Sequence, residues 1–107
     1  MRRMFSLVLL AGAMLMLLVG TAQAKQLIDA TATDTFDPTP VHVAMGEKVI
    51  WKNIDIDDHV VRSTSHGWKK EKTIHPGAKT SFVFNSRGRY TYRCTIHKGM
   101  NGVIKVG

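Results

Sequence analysis

A cysteine, a histidine and a methionine stand three residues apart in one short stretch near the C-terminus of the chain. They are Cys94, His97 and Met100, and Cys94 is the only cysteine in the sequence. A thiolate, an imidazole and a thioether together form a donor set suited to copper. Taken singly, a cysteine or a methionine is often just a buried apolar residue, but the regular spacing in one loop favours metal binding.

The residues on either side of this stretch predict the two elements that position it. Tyr90, Tyr92 and Cys94 alternate with other residues and therefore share one face of a strand. Apolar residues return over 103–106, which predicts a second strand. The spacing Cys-x-x-His-x-x-Met thus predicts a loop that joins two neighbouring strands of a β-protein.

A second histidine is needed to complete a blue copper centre, which uses two imidazoles, one thiolate and a weak axial thioether. His59 is available in the segment Trp-x-Asn-x-x-x-x-x-His, which begins at Trp51 and includes Asn53. The second segment is Gly-x-Tyr-x-Tyr-x-Cys-x-x-His-x-x-Met-x-Gly-x-Ile-x-Val over 88–106. Together they resemble the cupredoxins of the plastocyanin/azurin family, the type 1 or blue copper proteins. The resemblance covers about 41–107, and the short ligand loop is most similar to that of the amicyanins.

The resemblance implies an all-β fold, an antiparallel Greek-key β-sandwich that holds one copper ion. The ligands that it implies are His59, Cys94, His97 and Met100. It also implies that Asn53 ties the ligand loops together and that its surroundings control hydrogen bonding to the cysteine sulfur, a type of contact that fixes ligand geometry. Zinc could bind the cysteine and the histidines, but it does not call for a thioether, so Met100 favours copper.

The resemblance further implies that the ring edge of His97 is the port through which electrons enter and leave. Ile96, Gly99 and Met100 would form an apolar rim around it that suits brief docking. The lysines that would steer an acidic partner towards this rim are Lys69, Lys70, Lys72 and Lys98. Transient redox encounters use small interfaces, which suits a small monomeric carrier.

The function implied is transfer of single electrons between redox partners, such as a c-type cytochrome, a dehydrogenase or an oxidase. Storage or delivery of copper without redox turnover would use the same ligands and stays open as an alternative. An enzyme is not expected. Multicopper oxidases and copper nitrite reductases need further histidines beside the cysteine, whereas Arg93 and Thr95 flank Cys94 here.

Asp58 stands where the family usually has a proline, directly before His59. With Asp55 and Asp57 it puts three carboxylates near the predicted site. They would ease copper uptake or lower the reduction potential by favouring Cu(II), or they would simply form a solvated acidic turn. Surface or structural roles are expected for the remaining histidines, with a second metal site as the alternative; these are His42, His66 and His75.

The N-terminus predicts a secretory signal peptide over 1–24, with cleavage after Ala24. Arg2 and Arg3 precede an apolar run over 7–19 and a small-x-small cleavage pattern at 22–24. The run is shorter than the ~20 residues of a spanning helix, so no stable membrane insertion is expected after cleavage. The location predicted is the periplasm or another exported compartment.

A single domain over 25–107 is expected after cleavage. Loss of Arg2 and Arg3 lowers the formal charge from +7 to +5, so the domain stays basic and favours an acidic partner surface. Nucleic acid is not expected, because the lysines are not interleaved with aromatic residues that could stack on bases.

Short alternating segments separated by turns predict the strands of the sandwich. An extended edge segment with two prolines is expected over 34–40, a loop over 65–72, and a turn at 75–77. Strands are predicted over 25–32, 41–45, 48–53, 59–63 and 80–84, and on both sides of the ligand loop.

Overall fold

A computed structural model describes residues 24–107, and it consists of nine strands joined by turns and loops. The predicted signal peptide lies outside the described residues, except for Ala24. The described part of the chain has no helix that could cross a membrane. The strands are β1 (Lys25–Ala30), β2 (Phe36–Asp37), β3 (Val41–Val43), β4 (Lys48–Asn53), β5 (His59–Ser63), β6 (Glu71–Ile74), β7 (Lys79–Val83), β8 (Gly88–Arg93) and β9 (Asn101–Val106).

The strands form two sheets that pack as a β-sandwich, which confirms the all-β fold. The four-stranded sheet has the order β2-β1-β4-β7, and the five-stranded sheet has the order β3-β9-β8-β5-β6. Two of the pairs, β1 with β4 and β3 with β9, run parallel. The sheets are therefore mixed, and the expectation of antiparallel pairing throughout is corrected. Other elements separate the strands of each parallel pair along the chain, and such connections allow both strands to run in the same direction.

Most strands lie where the alternation of residues predicts them, and β4 and β5 have the predicted bounds. The exception is β6, whose first two residues fall in the segment expected to be a loop. Its first three residues, Glu71, Lys72 and Thr73, are polar and exposed. The sequence there therefore lacks the apolar alternation that predicts a strand. The strand forms because it pairs with β5 at the edge of the five-stranded sheet, where polar side chains remain in water.

An aromatic cluster fills the core beside the ligand loop. Trp51 stacks on Trp68 with ring centroids 6.2 Å apart and meets the edge of Tyr92 at 5.3 Å. Trp51 is fully buried. Gly102 lies opposite Tyr92 in the β8–β9 pair, and any side chain at Gly102 would overlap the tyrosine ring. The aromatic cluster therefore packs closely against β8, the strand that directly precedes Cys94.

Candidate metal centre

Three segments meet at one end of the sandwich and bring His59, Cys94 and His97 together. His59 is the first residue of β5, and Cys94 directly follows β8. The neighbouring strands β5 and β8 pair through Arg62 with Arg93. The loop from β8 to β9 then supplies His97 and Met100.

The sulfur of Cys94 lies near one nitrogen of each of the two imidazole rings, whose centroids are 4.7 Å apart. Its Sγ atom is 3.4 Å from His97 Nδ1 and 3.9 Å from His59 Nδ1. One nitrogen from each ring and the sulfur all lie within 4.8 Å of one another. Ligand atoms bound to one zinc ion at about 2.0–2.3 Å and at trigonal angles would be roughly 3.5–4 Å apart. The three donors therefore fit a single ion of this size, and a thiolate with two imidazoles is chemically suited to copper.

Met100 is buried beside the cysteine by the way the ligand loop closes. The Cys94 N–H donates to the carbonyl of Met100 at 2.9 Å, and the Met100 N–H donates to the carbonyl of His97 at 3.3 Å. Gly99 has a φ of 82°, in the left-handed region that glycine adopts without strain. The backbone therefore turns at Gly99 and returns Met100 to the level of Cys94, with its side chain buried.

His59 is held from behind by a carboxylate. Its side chain is 0% exposed, and its Nε2 donates to Asp55 Oδ2 at 2.9 Å, which leaves Nδ1 directed towards the sulfur. The Asp55 side chain is only 7% exposed. Burial raises the pKa of Asp55, but hydrogen bonds from His59 and from backbone N–H groups outweigh burial and hold that pKa below its ordinary value. A carboxylate in this position fixes the orientation of a ligand histidine.

His97 lies on the open side of the centre, with 22% of its side chain exposed. The nearest carboxylate is that of Asp34, 47% exposed, whose Oδ1 is 3.7 Å from His97 Nε2, too far for a hydrogen bond. Asp34 has a φ of 58° in the β1–β2 connection, where the hydroxyl groups of Thr31, Thr33 and Thr35 bond one another. His97 thus has a nearby charge but no rigid anchor on its outer nitrogen.

The cysteine sulfur and Asn53 are tied to different parts of the site. The Val60 N–H donates to Cys94 Sγ at 3.3 Å. Asn53 is fully buried; its Nδ2 donates to the carbonyls of Asp57 at 2.7 Å and Ile74 at 2.8 Å, and its Oδ1 accepts the N–H of Asp55 at 2.8 Å. Asn53 therefore braces the β4–β5 loop that carries Asp55, while Val60 supplies the backbone hydrogen bond to the sulfur.

The three carboxylates before His59 have separate surroundings. Asp55 is buried against His59, whereas Asp58 is on the surface and accepts a hydrogen bond from His75 Nδ1 at 2.8 Å.

Within residues 24–107, two groups of side chains are arranged so that they could hold a metal ion: His59 with Cys94 and His97, and His59 with Asp34 and Asp55. Neither group includes His42, His66 or His75.

Sequence reasoning placed Asp55 near the site without its contact to His59, and it missed Asp34. Asp55 was grouped with its acidic neighbours, and its spacing of four residues from His59 was the only available signal. Asp34 lies far from both histidines along the chain, and nothing in its local sequence marks it. Around the open side, Ile96, Lys98 and Gly99 are all exposed, whereas Met100, also predicted to form the rim, is buried.

A two-sheet β-sandwich with this cysteine and histidine group defines the class of the protein. The chain belongs to the cupredoxins, because the family model of the cupredoxin-like domain matches residues 6–106. That match begins inside the segment predicted as a signal peptide, so the domain boundary at Lys25 stays a prediction.

Solved structures of amicyanin are similar over most of both chains. The Cu(I) form of one amicyanin variant is 25% identical, covers 82% of this chain and 87% of its own, and has a TM-score of 0.71. Another variant, in a reduced Cu(I) form at pH 4, is 26% identical with the same coverage and a TM-score of 0.70.

A copper-containing nitrite reductase from Thermus scotoductus is similar in fold alone. It is 20% identical, with a TM-score of 0.71, and the match covers 83% of this chain but 24% of the reductase. The His, Cys, His and Met group of this chain, in a fold like that of amicyanin, is consistent with a type 1 copper site.

Proposed function

We propose that this chain is a small exported carrier of single electrons that binds one type 1 copper ion. The ligands proposed are His59, Cys94, His97 and Met100. The observation that carries the proposal is the position of the Cys94 sulfur, 3.4 Å and 3.9 Å from one nitrogen of each histidine ring. The similar amicyanins in Cu(I) form support copper as the metal, and so does Met100, because thioether ligands are not typical of zinc.

A type 1 copper ion, when bound, supplies a one-electron couple between Cu(I) and Cu(II). The chain's own part is to keep the donors in place. Asp55 fixes the ring of His59, and the Val60 N–H donates to the sulfur. Asn53 braces the loop before His59 through three hydrogen bonds. Because these contacts do not involve the metal, the donor positions need change little when an electron arrives or leaves.

The exposed edge of His97 is the proposed port for electrons. Ile96, 55% exposed, lies next to it in the ligand loop, and Ile56 in the β4–β5 loop is 88% exposed. Apolar side chains in both ligand-bearing loops suit brief docking with a redox protein such as a c-type cytochrome, a dehydrogenase or an oxidase. Interfaces of this kind are small and short-lived, and the carrier is proposed to act as a monomer.

An enzymatic role is not part of the proposal. Arg93 and Thr95 flank Cys94, so the positions beside the cysteine supply no histidine for a second copper ion. The similar nitrite reductase is about four times as long as the region it shares with this chain. Its further parts have no counterpart in the match.

Copper storage or delivery is the second candidate, favoured by the open side of the centre. His97 is partly exposed, and Asp34 and Asp55 place carboxylates near the outer nitrogens of the two rings. Negative charge at a solvent-accessible edge would attract a copper ion. Slow electron exchange with rapid copper exchange would favour this candidate over the first.

Visible absorption of the Cu(II)-loaded protein, before and after ascorbate, tests the electron-carrier proposal. We expect an intense blue thiolate-to-copper band that bleaches on reduction and returns on oxidation. Cys94→Ser should abolish the band, whereas the neighbouring Thr95→Ser should keep it. Tight copper binding without the band would reject the carrier in favour of copper handling. Mass measurement of the protein from the exported fraction tests cleavage after Ala24.

A further inference from the structure

The outer face of the five-stranded sheet carries more cations than acidic groups. Tyr90 and Tyr92 are buried, so the alternation of β8 turns Arg89 and Arg93 outwards, where both are exposed. Arg62 on β5 pairs directly with Arg93, and Lys105 on β9 pairs directly with Arg89. We call Arg62, Arg89, Arg93 and Lys105 the basic face.

Like charges that lie directly across a strand pair repel each other and destabilise the sheet. The basic face contains two such pairs, Arg62 with Arg93 and Arg89 with Lys105. The strands of this sheet contain one acidic residue, Glu71, which lies 3.5 Å from Arg62. Both side chains of that ion pair are well exposed, and such pairs contribute little. The repulsion is therefore not offset within the sheet.

The two sheets also differ in which basic residue they carry. The arginines of the described chain lie in β5, in β8 and in the turn before it, while the cations of the four-stranded sheet are all lysines. Arginine presents a planar fork that binds a carboxylate through two hydrogen bonds, which lysine cannot do. The four-stranded sheet also pairs like charges directly, Lys25 with Lys48 and Lys52 with Lys79, so the two sheets differ in the type of cation that they present.

A groove extends the basic face around the sheet edge. It has a volume of about 420 Å³ and is lined by Arg62, Ser63, Lys69, Lys70 and Glu71. Lys70 donates from Nζ to the carbonyl of Ser81 on the other sheet. Burial, together with the charge of Lys72, lowers the pKa of Lys70, as expected where cations crowd together.

We propose that the basic face is the docking surface for an acidic face of a protein partner. The proposal rests on the proposed function in one respect, namely that this partner exchanges electrons with the carrier. The face begins close to the metal centre, because Arg93 is bonded directly to Cys94. It differs in charge from the open side of that centre, where Asp34 and Asp55 lie.

The chemistry of the face favours a protein over a membrane or a nucleic acid. The large exposed apolar residues of the described chain are Leu27, Met45, Ile54, Ile56 and Ile96, and none lies on the strands of this sheet. Stable binding to a lipid surface adds buried apolar area to charge attraction. Binding of single-stranded nucleic acid needs exposed aromatic rings, and both aromatic residues of β8 are buried.

Amide NMR spectra of the whole ¹⁵N-labelled chain, titrated with short poly-L-glutamate, test this proposal. We expect the shifts to concentrate around residues 62, 89, 93 and 105. The double variant Arg62→Gln/Arg93→Gln should weaken binding roughly five- to tenfold at low salt. The matched control is Lys25→Gln/Lys48→Gln, which removes the same charge from a directly paired site on the other sheet, and it should change binding less than about twofold.

Thermal unfolding provides an independent measurement on the same variants. Removing Arg62 and Arg93 relieves repulsion, so the melting temperature should stay constant or rise while affinity for poly-L-glutamate falls. The conservative variant Arg62→Lys/Arg93→Lys keeps the charge but loses the planar guanidinium fork. Its affinity for poly-L-glutamate should lie between that of the unchanged protein and that of Arg62→Gln/Arg93→Gln. A fall in melting temperature with unchanged affinity would assign the arginines to the fold and overturn the proposal.

Other outcomes also overturn it. If the control Lys25→Gln/Lys48→Gln weakened binding as much as Arg62→Gln/Arg93→Gln does, the net charge of the protein alone would account for binding of poly-L-glutamate. Shifts centred on residues 96–99 would place docking at the rim of His97. Binding to phosphatidylglycerol vesicles but not to poly-L-glutamate would indicate a membrane surface. Because the titration is made with the copper-free protein, its result is independent of the blue band that tests the carrier function.

Discussion

The two histidines of the metal centre are held in different ways. His59 is fully buried at the start of a strand, and a carboxylate accepts a hydrogen bond from its outer nitrogen at 2.9 Å. His97 is partly exposed in a short loop, and its nearest carboxylate lies 3.7 Å away, beyond hydrogen-bond distance. One histidine is therefore anchored, while the other is accessible to solvent and to partners.

The difference follows from the elements that carry the two residues. The β4–β5 loop before His59 is braced by the three hydrogen bonds of Asn53, and His59 itself pairs with Ile74 on β6. The loop around His97 is held by backbone bonds between Cys94, His97 and Met100. The contacts of β4 and β5 thus hold His59 rigidly, whereas the loop between β8 and β9 leaves His97 accessible.

The largest expected effect is on the stability of the copper-free protein. His59→Ala should lower the free energy of unfolding by about 2–4 kcal/mol, because it leaves a cavity and a buried carboxylate without its hydrogen bond. His97→Ala should cost less than about 1 kcal/mol, because its ring is partly exposed and has no strong partner. Urea unfolding measures both, with the exposed His42→Ala as control. Equal losses at His59 and His97 would contradict the comparison.

Added imidazole should distinguish the two positions by access. In His97→Gly, free imidazole can reach the gap from solvent, and we expect the blue band of the Cu(II)-loaded protein to return. In His59→Gly, the gap is enclosed and the band should stay absent at the same imidazole concentration. Visible absorption during the titration measures this, and N-methylimidazole extends it by testing the room available on each side. Recovery in both variants would mean that the His59 side also opens.

The carboxylates behind the rings should differ in their effect on copper affinity. Asp55→Asn should weaken Cu(II) binding roughly tenfold or more, because this carboxylate orients and polarises a ligand ring. Asp34→Asn should weaken binding less than about threefold, because its contact is long and solvent-screened. Competition with a chelator of known affinity gives both values, and the surface variant Asp57→Asn is the control. A larger loss at Asp34 than at Asp55 would reverse the assignment.

The smallest expected effect concerns the rim of the open side. Lys98→Gln should change the free energy of unfolding by less than about 0.5 kcal/mol, because its side chain is exposed in the loop. It should nevertheless slow electron exchange with hexacyanoferrate roughly twofold at low salt, since it removes a positive charge beside the port. Stopped-flow absorption measures the rate. The control Lys79→Gln on β7 removes an equal charge elsewhere. If it slowed electron exchange as much as Lys98→Gln does, the assignment of His97 as the electron port would be rejected.

The sequence predicted the features that depend on neighbouring residues. The alternation around Tyr90 and Tyr92 is local, and so is the spacing of Cys94, His97 and Met100. His59 is far away along the chain and could be assigned through the family resemblance alone. The structure brings its ring to the same sulfur, because β5 and β8 are neighbours in one sheet.

The features that sequence reasoning could not supply depend on distant parts of the chain. Asp34 reaches His97 through the course of the β1–β2 connection, which no local pattern encodes. Asp55 and Asp57 look alike in sequence, but the fold leaves only 7% of the Asp55 side chain exposed and keeps Asp57 on the surface. The polar strand β6 forms through its pairing with β5, and the parallel pairs depend on how separate strands are arranged in the sheets.

The parallel pair of β3 and β9 has a consequence for how the protein matures. Val41 pairs with Ile104, so this part of the sheet closes after nearly the whole chain has emerged. Contacts between residues so far apart form slowly. In the exported compartment proposed above, the lone thiol of Cys94, which is buried in the folded protein, would therefore be open to oxidation during folding.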